Sequence, residues 1–356
     1  MTVHPSIHSR SISVNGQKGF FVDCETLDGC PNCGGMNLRA WRKGYDRLHR
    51  VSPQEFTYSR CLQCDVVFLS SRPAEGDAHK FYPSDYGPYQ PPGAREDPKA
   101  EDPGANKKPA FQFIKNALLG AVHGLNNAAA WLSPDILADE LQKFYRPERG
   151  EARLLDFGCG SENFLNHARG QGWETLGMDF SPQTIEQVRR SGHQGFLMSP
   201  SIWDDVEDES LDLVRMNHVL EHLYNPTEVL AAIRSKMRPG AKLHIALPNP
   251  YSFTSRIFRS RWFALDCPRH VILYSPAVLK RLLDEAGFPA LCIRHEVITK
   301  DFSRSLGYLL HDRGWIAHEE VAQMMHSQGL AVLLLTPARV AAVCGAADRF
   351  HVFTRK

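Results

Sequence analysis

The sequence lacks the features of a membrane-spanning or exported protein. No apolar run reaches the ~20 residues that a transmembrane helix needs, and the longest one, from Leu330 to Val343, is interrupted by Pro337 and Arg339. The N-terminal stretch MTVHPSIHSR contains no apolar signal-peptide core. We therefore expect a cytoplasmic protein without a membrane span.

An excess of charge of one sign is also missing. The 41 basic and 40 acidic residues give a formal net charge of +1, and aromatic and basic residues form no joint cluster. Nucleic-acid-binding proteins usually carry a basic patch, so we expect no nucleic-acid partner. The hydrophobic content of 43% in 356 residues is enough for about two globular units.

The chain contains nine cysteines, and four of them occur as two CxxC pairs. We do not expect disulfide bonds, because the chain has no export signal. Cys30 and Cys33 form one CxxC pair, and Cys61 and Cys64 form another, with 27 residues between the pairs. Two such turns make the closed tetrahedral site of a structural zinc ion. We predict that these four cysteines bind zinc. Two alternatives are that Cys24 replaces one of them and that all are free thiols.

Changes in composition divide the chain into four segments. We predict a zinc-binding module at 1–90, a proline-rich charged linker at 91–109, a helical connector at 110–150, and a main domain at 151–356. The main domain contains a helical insertion at about 299–348, which is apolar enough to pack in the core, to dimerise or to cover a substrate.

Short apolar strands alternate with helices in the main domain. Strands are predicted at 154–157, 175–178, 195–198, 211–215, 242–247, about 289–296 and 350–354. Helices begin at Ser181-Pro182, Asn225-Pro226 and Ser275-Pro276, where a capping side chain precedes proline, and they end at Gly192, Gly240 and Gly287. Repeated β-α units predict a doubly wound α/β fold with a mostly parallel sheet.

A glycine turn follows the first strand of the main domain, at Gly158-Cys159-Gly160. Glycines let the backbone approach a ligand, and the helix after them offers free N–H groups. Asp179 stands 21 positions after Gly158, at the end of the second strand, where a carboxylate can accept hydrogen bonds from ribose hydroxyls. Asp156 adds negative charge that suits a cationic ligand fragment better than a pyrophosphate.

Four stretches carry a resemblance to the class I S-adenosylmethionine-dependent methyltransferases: LLDFGCG (154–160), GMDFS (177–181), LDLVRMNHVLEHLYNP (211–226) and MRPGAKLHIALPN (237–249). The resemblance covers roughly residues 150–300 and implies a Rossmann-like, seven-stranded sheet. It implies that the 158–160 turn lies against the methionine part of the cofactor. Asp179 would hold the ribose, Phe180 would flank the adenine, and Asn217 would line the cleft.

The glycine turn departs from the family pattern at Glu162, where the family usually has a third glycine. This carboxylate either adds a favourable charge at the helix start or crowds the cofactor, which would leave a non-catalytic binding module. A nicotinamide-binding domain is the other interpretation of the turn, but its fingerprint requires glycine at Asn163.

The segment after the cysteines, CDVVFLSSRP…FYPSDYGPY, resembles the zinc-binding N-terminal module of bacterial sugar, glycan and natural-product methyltransferases. The resemblance places this module near the acceptor site. Tyr82, Tyr86 and Tyr89 then either contact a substrate or pack the module onto the main domain.

Histidines supply candidates for a general base. His218, Glu221 and His222 follow the strand at 211–215, at the sheet edge where ligands bind. A hydroxyl acceptor must lose a proton, which requires a base with a pKa near 7. His222 is the first candidate, with Glu221 as its orienting partner, and His270 is the second. The neighbouring Arg269 would pair with an acidic substrate group.

HVLEH also matches the HxxEH pattern of a metallopeptidase family, but that pattern needs a long helix, and Asn225-Pro226 ends the segment too soon. We therefore predict methyl transfer to a small-molecule acceptor, a sugar or glycan precursor or a secondary metabolite, with oxygen as the expected accepting atom and carbon and nitrogen as alternatives. The alternatives are an RNA methyltransferase with a zinc ribbon and the non-catalytic binding module.

Overall fold

The computed structural model describes residues 11–14, 17–83, 136–199, 201–289 and 292–356. The predicted linker at 91–109, most of the predicted connector at 110–150, Tyr86 and Tyr89 lie outside the described residues. Within the part of the chain that is described, no helix is long and apolar enough to cross a membrane.

Fourteen strands occur in the described residues: β1 (Ser11–Val14), β2 (Gln17–Phe20), β3 (Cys24–Thr26), β4 (Leu38–Gly44), β5 (Phe56–Cys61), β6 (Val67–Pro73), β7 (Arg153–Phe157), β8 (Glu174–Asp179), β9 (Gln194–Leu197), β10 (Leu211–Asn217), β11 (Met237–Pro248), β12 (Ile272–Leu273), β13 (Cys292–His295) and β14 (Arg349–Arg355). The α-helices there are α1 (Ile136–Phe144), α2 (Asn163–Gly170), α3 (Pro182–Arg190), α4 (Pro226–Lys236), α5 (Phe253–Phe258), α6 (Pro276–Glu285), α7 (Lys300–Asp312), α8 (His318–His326) and α9 (Gln328–Val343).

The main sheet has seven strands in the order β13-β14-β11-β10-β7-β8-β9. Strands β9, β8, β7, β10 and β11 are mutually parallel, whereas β14 runs antiparallel between β11 and β13. The order reverses direction between β7 and β10, which is the switch point where open α/β sheets bind ligands. The predicted doubly wound, seven-stranded α/β fold is confirmed.

Helix starts follow the predicted capping chemistry at two of three positions. The hydroxyls of Ser181 and Ser275 accept hydrogen bonds from the backbone N–H of Thr184 and Val278, three residues into α3 and α6. Asn225 precedes α4 without a capping bond from its side chain, so Pro226 alone defines that start. The predicted helix end at Gly240 is wrong, because α4 ends at Lys236 and Gly240 lies within β11.

A second sheet carries the cysteine pairs. Its strands β4, β5 and β6 form an antiparallel meander, and both β3 and β12 pair with the edge of β6 that faces away from β5. Strand β12 consists of residues 272–273, which belong to the sequence of the main domain. This strand therefore connects the main domain to the second sheet. Their apolar side chains form one continuous core that includes Phe56, Phe68 and Leu247.

Three helices, α7 to α9, occupy most of the segment between β13 and β14. The inner face of α7 contributes the buried Tyr308, whereas α9 contains no buried side chain. Leu333, Val340 and Val343 of α9 are exposed. Core packing, one of the roles expected for this insertion, therefore applies to α7 but not to α9.

The buried carboxylate of Asp348 holds the segment that follows β11 in place through hydrogen bonds. It accepts hydrogen bonds from the hydroxyls of Ser252 and Thr254 and from the indole N–H of Trp262. Burial, assisted by the negative charge of Asp301, raises the pKa of Asp348 to about 6. Because the folded-state pKa of this acid lies above its unfolded value, Asp348 stabilises the fold least at neutral pH.

We expect Asp348→Asn to gain free energy of unfolding relative to wild type as the pH rises. Between pH 5 and pH 7 the wild-type carboxylate loses its proton inside the fold, and linkage predicts a relative gain of about 1 kcal/mol for the variant. Urea unfolding of both proteins across this range measures the difference. A difference independent of pH would contradict the raised pKa.

Candidate functional site

The four predicted zinc ligands lie together at one end of the β4–β5–β6 meander. The sulfur atoms of Cys30 and Cys64 are 3.6 Å apart, as are those of Cys33 and Cys61, and all four ligand atoms lie within 4.8 Å of one another. A zinc ion with Zn–S bonds of about 2.3 Å needs sulfur atoms about 3.8 Å apart in a tetrahedron. The four cysteines therefore form a group that can hold a metal ion.

Backbone N–H groups approach the sulfur atoms as the CxxC turns predict. Asn32 and Cys33 donate to the sulfur of Cys30, and Gln63 and Cys64 donate to the sulfur of Cys61. Cys24, the alternative ligand, is not part of this group. Its sulfur instead accepts a hydrogen bond from the side-chain amide of Gln54 at 2.9 Å.

The glycine turn connects β7 to α2 at the switch point of the main sheet. Gly158 and Gly160 have φ angles of +73° and +63°, which L side chains rarely adopt. A Cβ atom at Gly158 would lie 2.5 Å from the side chain of Val219, so no larger residue fits there. Cys159 between them is buried, and its backbone N–H donates to the carbonyl of Met178 in β8.

Asp179 ends β8 directly beside this turn, and only 3% of its surface is exposed. Its two carboxylate oxygens accept hydrogen bonds from the backbone N–H of Gly160 and of Ser181, both at 2.9 Å. The backbone N–H of Phe180 also bonds this carboxylate, and because an ionised carboxylate has about four acceptor positions, about one remains for a ligand. Burial raises the pKa of Asp179, and the backbone N–H groups oppose that rise.

The negative charge of Asp156 is compensated inside the protein. Both of its oxygens accept from the guanidinium of Arg215, at 2.8 and 3.0 Å, because the two residues are opposite each other on β7 and β10. Arg215 also lies over the ring of Phe164 in α2, 4.0 Å from its centroid. The sequence analysis missed this arginine, since only the register of neighbouring strands brings the pair together.

Glu162, which departs from the family pattern, immediately precedes α2. One of its carboxylate oxygens, Oε2, is buried and has no hydrogen-bond partner among the described residues. Its charge acts on His193, whose imidazole contacts Asn166 one turn further along the same helix. This places the carboxylate toward the α2 face that meets His193.

The predicted catalytic histidines come together after β10. His222 belongs to a short 3-10 turn at Leu220–His222, and His270 follows a turn in the segment between α5 and β12. Their ring centroids are 4.7 Å apart. The Nδ1 atom of His222 is 2.9 Å from the carbonyl of Arg269, and that of His270 is 2.9 Å from the carbonyl of Ala264. Since a carbonyl only accepts, Nδ1 carries a proton in both rings, which leaves Nε2 as the ring atom that can accept a proton or bind an ion.

Glu221 lies fully buried beside the two imidazoles. Its Oε1 atom is 3.3 Å from Nδ1 of His218 and 3.8 Å from Nε2 of His270, while Oε2 has no partner among the described residues. Burial alone would raise the pKa of Glu221, but the hydrogen bond from His218, followed by the electrostatic effect of the neighbouring imidazoles when they are protonated, lowers it overall. The charge of this buried carboxylate is therefore supported by the histidines around it.

His218 is held in one tautomer by its neighbours. It has a left-handed backbone, with φ of +57°, and its Nε2 is 3.4 Å from the guanidinium of Arg349, which only donates. Nδ1 therefore carries the proton and donates to Glu221. Arg349 itself pairs with Asp301, which keeps the guanidinium in place. Among the catalytic candidates, His218 is therefore the hydrogen-bond donor to the carboxylate of Glu221.

A single aromatic ring connects the histidines to the predicted adenine-flanking residue. The Tyr82 ring meets the edge of Phe180 at a centroid distance of 5.1 Å, and its hydroxyl is 3.1 Å from Nδ1 of His222. Asn217 ends β10 next to His218. Both groups of predicted site residues thus lie at the carboxyl edge of the main sheet.

Arg269 does not have the role that its position in the sequence predicted. Its fully buried guanidinium donates to the carboxylates of Asp266 and Asp46 and to the carbonyl of Phe81. The prediction that it pairs with a substrate is wrong. Because Asp46 and Phe81 belong to the N-terminal region, Arg269 instead joins that region to the segment that carries His270.

Comparison with known families gives one match to this part of the chain. Residues 130–293, just under half of the 356 residues, match the family model described as a methyltransferase domain. The match includes the glycine turn, Asp179 and the histidine group, but it ends before β14 and does not include the four cysteines.

Individual relatives are distant. A ubiquinone biosynthesis O-methyltransferase of Xanthomonas euvesicatoria is 29% identical over 154 residues, which cover 40% of this chain and 64% of the relative. An uncharacterized 37.1 kDa protein in transposon TN4556 of Streptomyces fradiae is 32% identical over 107 residues, 28% of this chain and 31% of the relative. A solved SAM-dependent methyltransferase from Archaeoglobus fulgidus has a TM-score of 0.42 and 23% identity, over 61% of this chain and 90% of that one.

Proposed function

Because the chain carries a methyltransferase domain over residues 130–293, we propose that it transfers a methyl group from S-adenosylmethionine to an oxygen atom of a small molecule. The observation that carries the proposal is the buried carboxylate of Asp179 beside the glycine turn, with the histidine group one aromatic ring away. A cytoplasmic location and the division into an N-terminal zinc module and a main domain belong to the same proposal.

The residues around the glycine turn fit the cofactor. The glycines at 158 and 160 let the backbone of the turn approach a ligand closely, and the remaining acceptor position of Asp179 suits a ribose hydroxyl. We assign Phe180 to the adenine and Asn217 to the wall of the cofactor site, and Asp156 orients the end of β7 through Arg215. When bound, the sulfonium supplies a methyl group that is already activated for displacement, so the protein acts mainly by positioning.

The acceptor hydroxyl must also lose its proton, and we assign that task to the Glu221–His222–His270 group. Burial, together with the charge of His270, lowers the pKa of His222, so His222 is neutral at pH 7. Its Nε2 lone pair is available because Nδ1 faces the Arg269 carbonyl. His222 is half-buried, whereas His270 is buried, so an acceptor can approach His222 more easily, which favours His222 as the base.

The N-terminal cysteine group is proposed to hold one structural zinc ion. Four thiolates fill a tetrahedral coordination shell, so this ion has no open position for a substrate. Its role is to fix the meander of β4, β5 and β6. Through Tyr82 and Arg269, that meander and the chain that follows it support the histidine group.

The acceptor is proposed to be a hydroxyl-bearing sugar or glycan precursor or secondary metabolite. Oxygen as the acceptor atom is supported by the name of the Xanthomonas relative and by the presence of a proton acceptor, which a sulfur or amine nucleophile needs less. Phenols and sugars that carry a hydroxyl group are therefore the compounds to test first.

Methyl transfer is tested with S-adenosylmethionine that carries a trideuterated methyl group and a panel of catechols, quinols and nucleotide sugars. We expect S-adenosylhomocysteine to form together with one acceptor of increased mass. Cofactor binding without turnover on any acceptor or cell extract would favour the non-catalytic binding module. Salt-dependent binding of RNA in a gel shift would favour an RNA substrate.

A further inference from the structure

Three side chains of the histidine group are placed like the ligands of a metal ion. One ligand atom from each of Glu221, His222 and His270 lies within 4.8 Å of the others. Metal–ligand distances of about 2.1 Å put the ligand atoms of one ion about 3 to 4 Å apart. Side-chain movements of under about 1 Å would therefore close this group around an ion.

The electrostatics of the group call for a positive charge. The Nε2 atom of His270 is 3.8 Å from Oε1 of Glu221 and 3.9 Å from Oδ2 of Asp266, so it faces two carboxylate oxygens, while its Nδ1 atom is bonded to the Ala264 carbonyl. The other oxygen of Glu221, Oε2, is buried without a hydrogen-bond partner among the described residues. A buried carboxylate oxygen without a partner is costly, and a cation between these atoms removes that cost.

The surroundings resemble the outer shell of a metal site. Imidazole ligands usually donate their second ring N–H to a carbonyl or carboxylate, which fixes the ring. His222 and His270 both do so, to the carbonyls of Arg269 and Ala264. Glu221 is held in the same way by the N–H of His218. The three ligands are thus pre-oriented from outside the group.

We propose that Glu221, His222 and His270 bind one divalent first-row transition-metal ion, separate from the zinc of the four cysteines. Two imidazoles and one carboxylate form a ligand set that suits such ions and leaves coordination positions open. His222 is the half-buried member of the group, so an acceptor would approach the ion from the side of His222.

The catalytic role of this ion rests on the proposed methyl transfer, whereas the binding of the ion to the protein does not. An ion with open positions binds an acceptor that offers two neighbouring oxygens, such as a vicinal diol or a catechol. It also lowers the pKa of the coordinated hydroxyl. In the metal-loaded protein the ion would promote the loss of the acceptor proton to solvent water, and His222 would serve as a ligand rather than as the base.

Equilibrium dialysis against Co²⁺ tests the site without cofactor or acceptor. The full chain is first treated with EDTA, and zinc and cobalt per chain are then measured together by mass spectrometry. We expect the protein to keep its zinc and to bind about one Co²⁺ per chain at micromolar concentration. Glu221→Gln and His270→Ala should each weaken cobalt binding at least ~10-fold.

His167→Ala, which removes an exposed histidine of α2, is the matched control and should bind Co²⁺ like wild type. Zinc content and thermal unfolding show whether each variant is folded, and His222→Asn replaces any variant that is not. No cobalt bound by the wild type, or equal binding by folded Glu221→Gln, would overturn the metal site. Either result leaves methyl transfer intact, with His222 as the base.

Discussion

Replacing Cys33 by serine is expected to cost the protein its zinc and most of its folded yield. Serine cannot supply the thiolate that faces Cys61 at 3.6 Å, and a site with three ligands holds zinc far more weakly. Structural zinc contributes roughly 10 kcal/mol to the folding of small zinc domains. Zinc per chain, measured after gel filtration, should fall from about one to well below one.

Cys24→Ser is the matched control, because Cys24 lies near the same meander but outside the group of four. It should retain full zinc and normal yield. Full zinc retention by Cys33→Ser would contradict the assignment of Cys33, and loss of zinc from Cys24→Ser would restore the alternative ligand set.

His222→Asn is expected to lower kcat for methyl transfer by about 100-fold or more. General bases contribute roughly 10²–10⁴-fold, and asparagine removes Nε2 while its amide N–H can still donate to the Arg269 carbonyl that Nδ1 faces. The fold and the contact with Tyr82 should therefore be kept. Single-turnover kinetics at saturating cofactor separate this loss from any change in binding.

A matched variant, His167→Asn, changes an exposed histidine on α2 and should leave kcat unchanged. The rate of wild type before and after chelation shows how His222 acts. A rate that survives removal of the metal supports His222 as the base, whereas a rate lost with the metal and restored by Co²⁺ supports its role as a ligand. Normal kcat in His222→Asn would contradict both roles.

The local patterns of the sequence predicted the main sheet and the cysteine group well. Alternation of apolar strands and helices is a short-range signal, and it predicted the α/β order from Arg153 onward. CxxC spacing is also local, and the structure brings all four predicted cysteines together. The resemblance to methyltransferases is confirmed by the family model over residues 130–293.

Contacts between distant segments could not be predicted in this way. Strand β12 joins the N-terminal sheet from residues 272–273, and a strand of that length has no pattern of its own. Arg215 was missed as the partner of Asp156, and Arg269 was assigned to a substrate although Asp46 occupies it. In each case tertiary packing brings the two partners together. No local pattern in a single sequence predicts such a contact.

Calorimetric titration of the zinc-loaded protein with S-adenosylmethionine and S-adenosylhomocysteine tests the central claim most directly. We predict micromolar binding that falls roughly 10- to 1000-fold in Asp179→Ala, since hydrogen bonds to a charged group contribute about 1.5–3 kcal/mol each. Asp208→Ala, at an exposed carboxylate, should bind like wild type. Absence of binding to folded wild type, or equal binding by Asp179→Ala, would contradict the cofactor site on which the methyltransferase account depends.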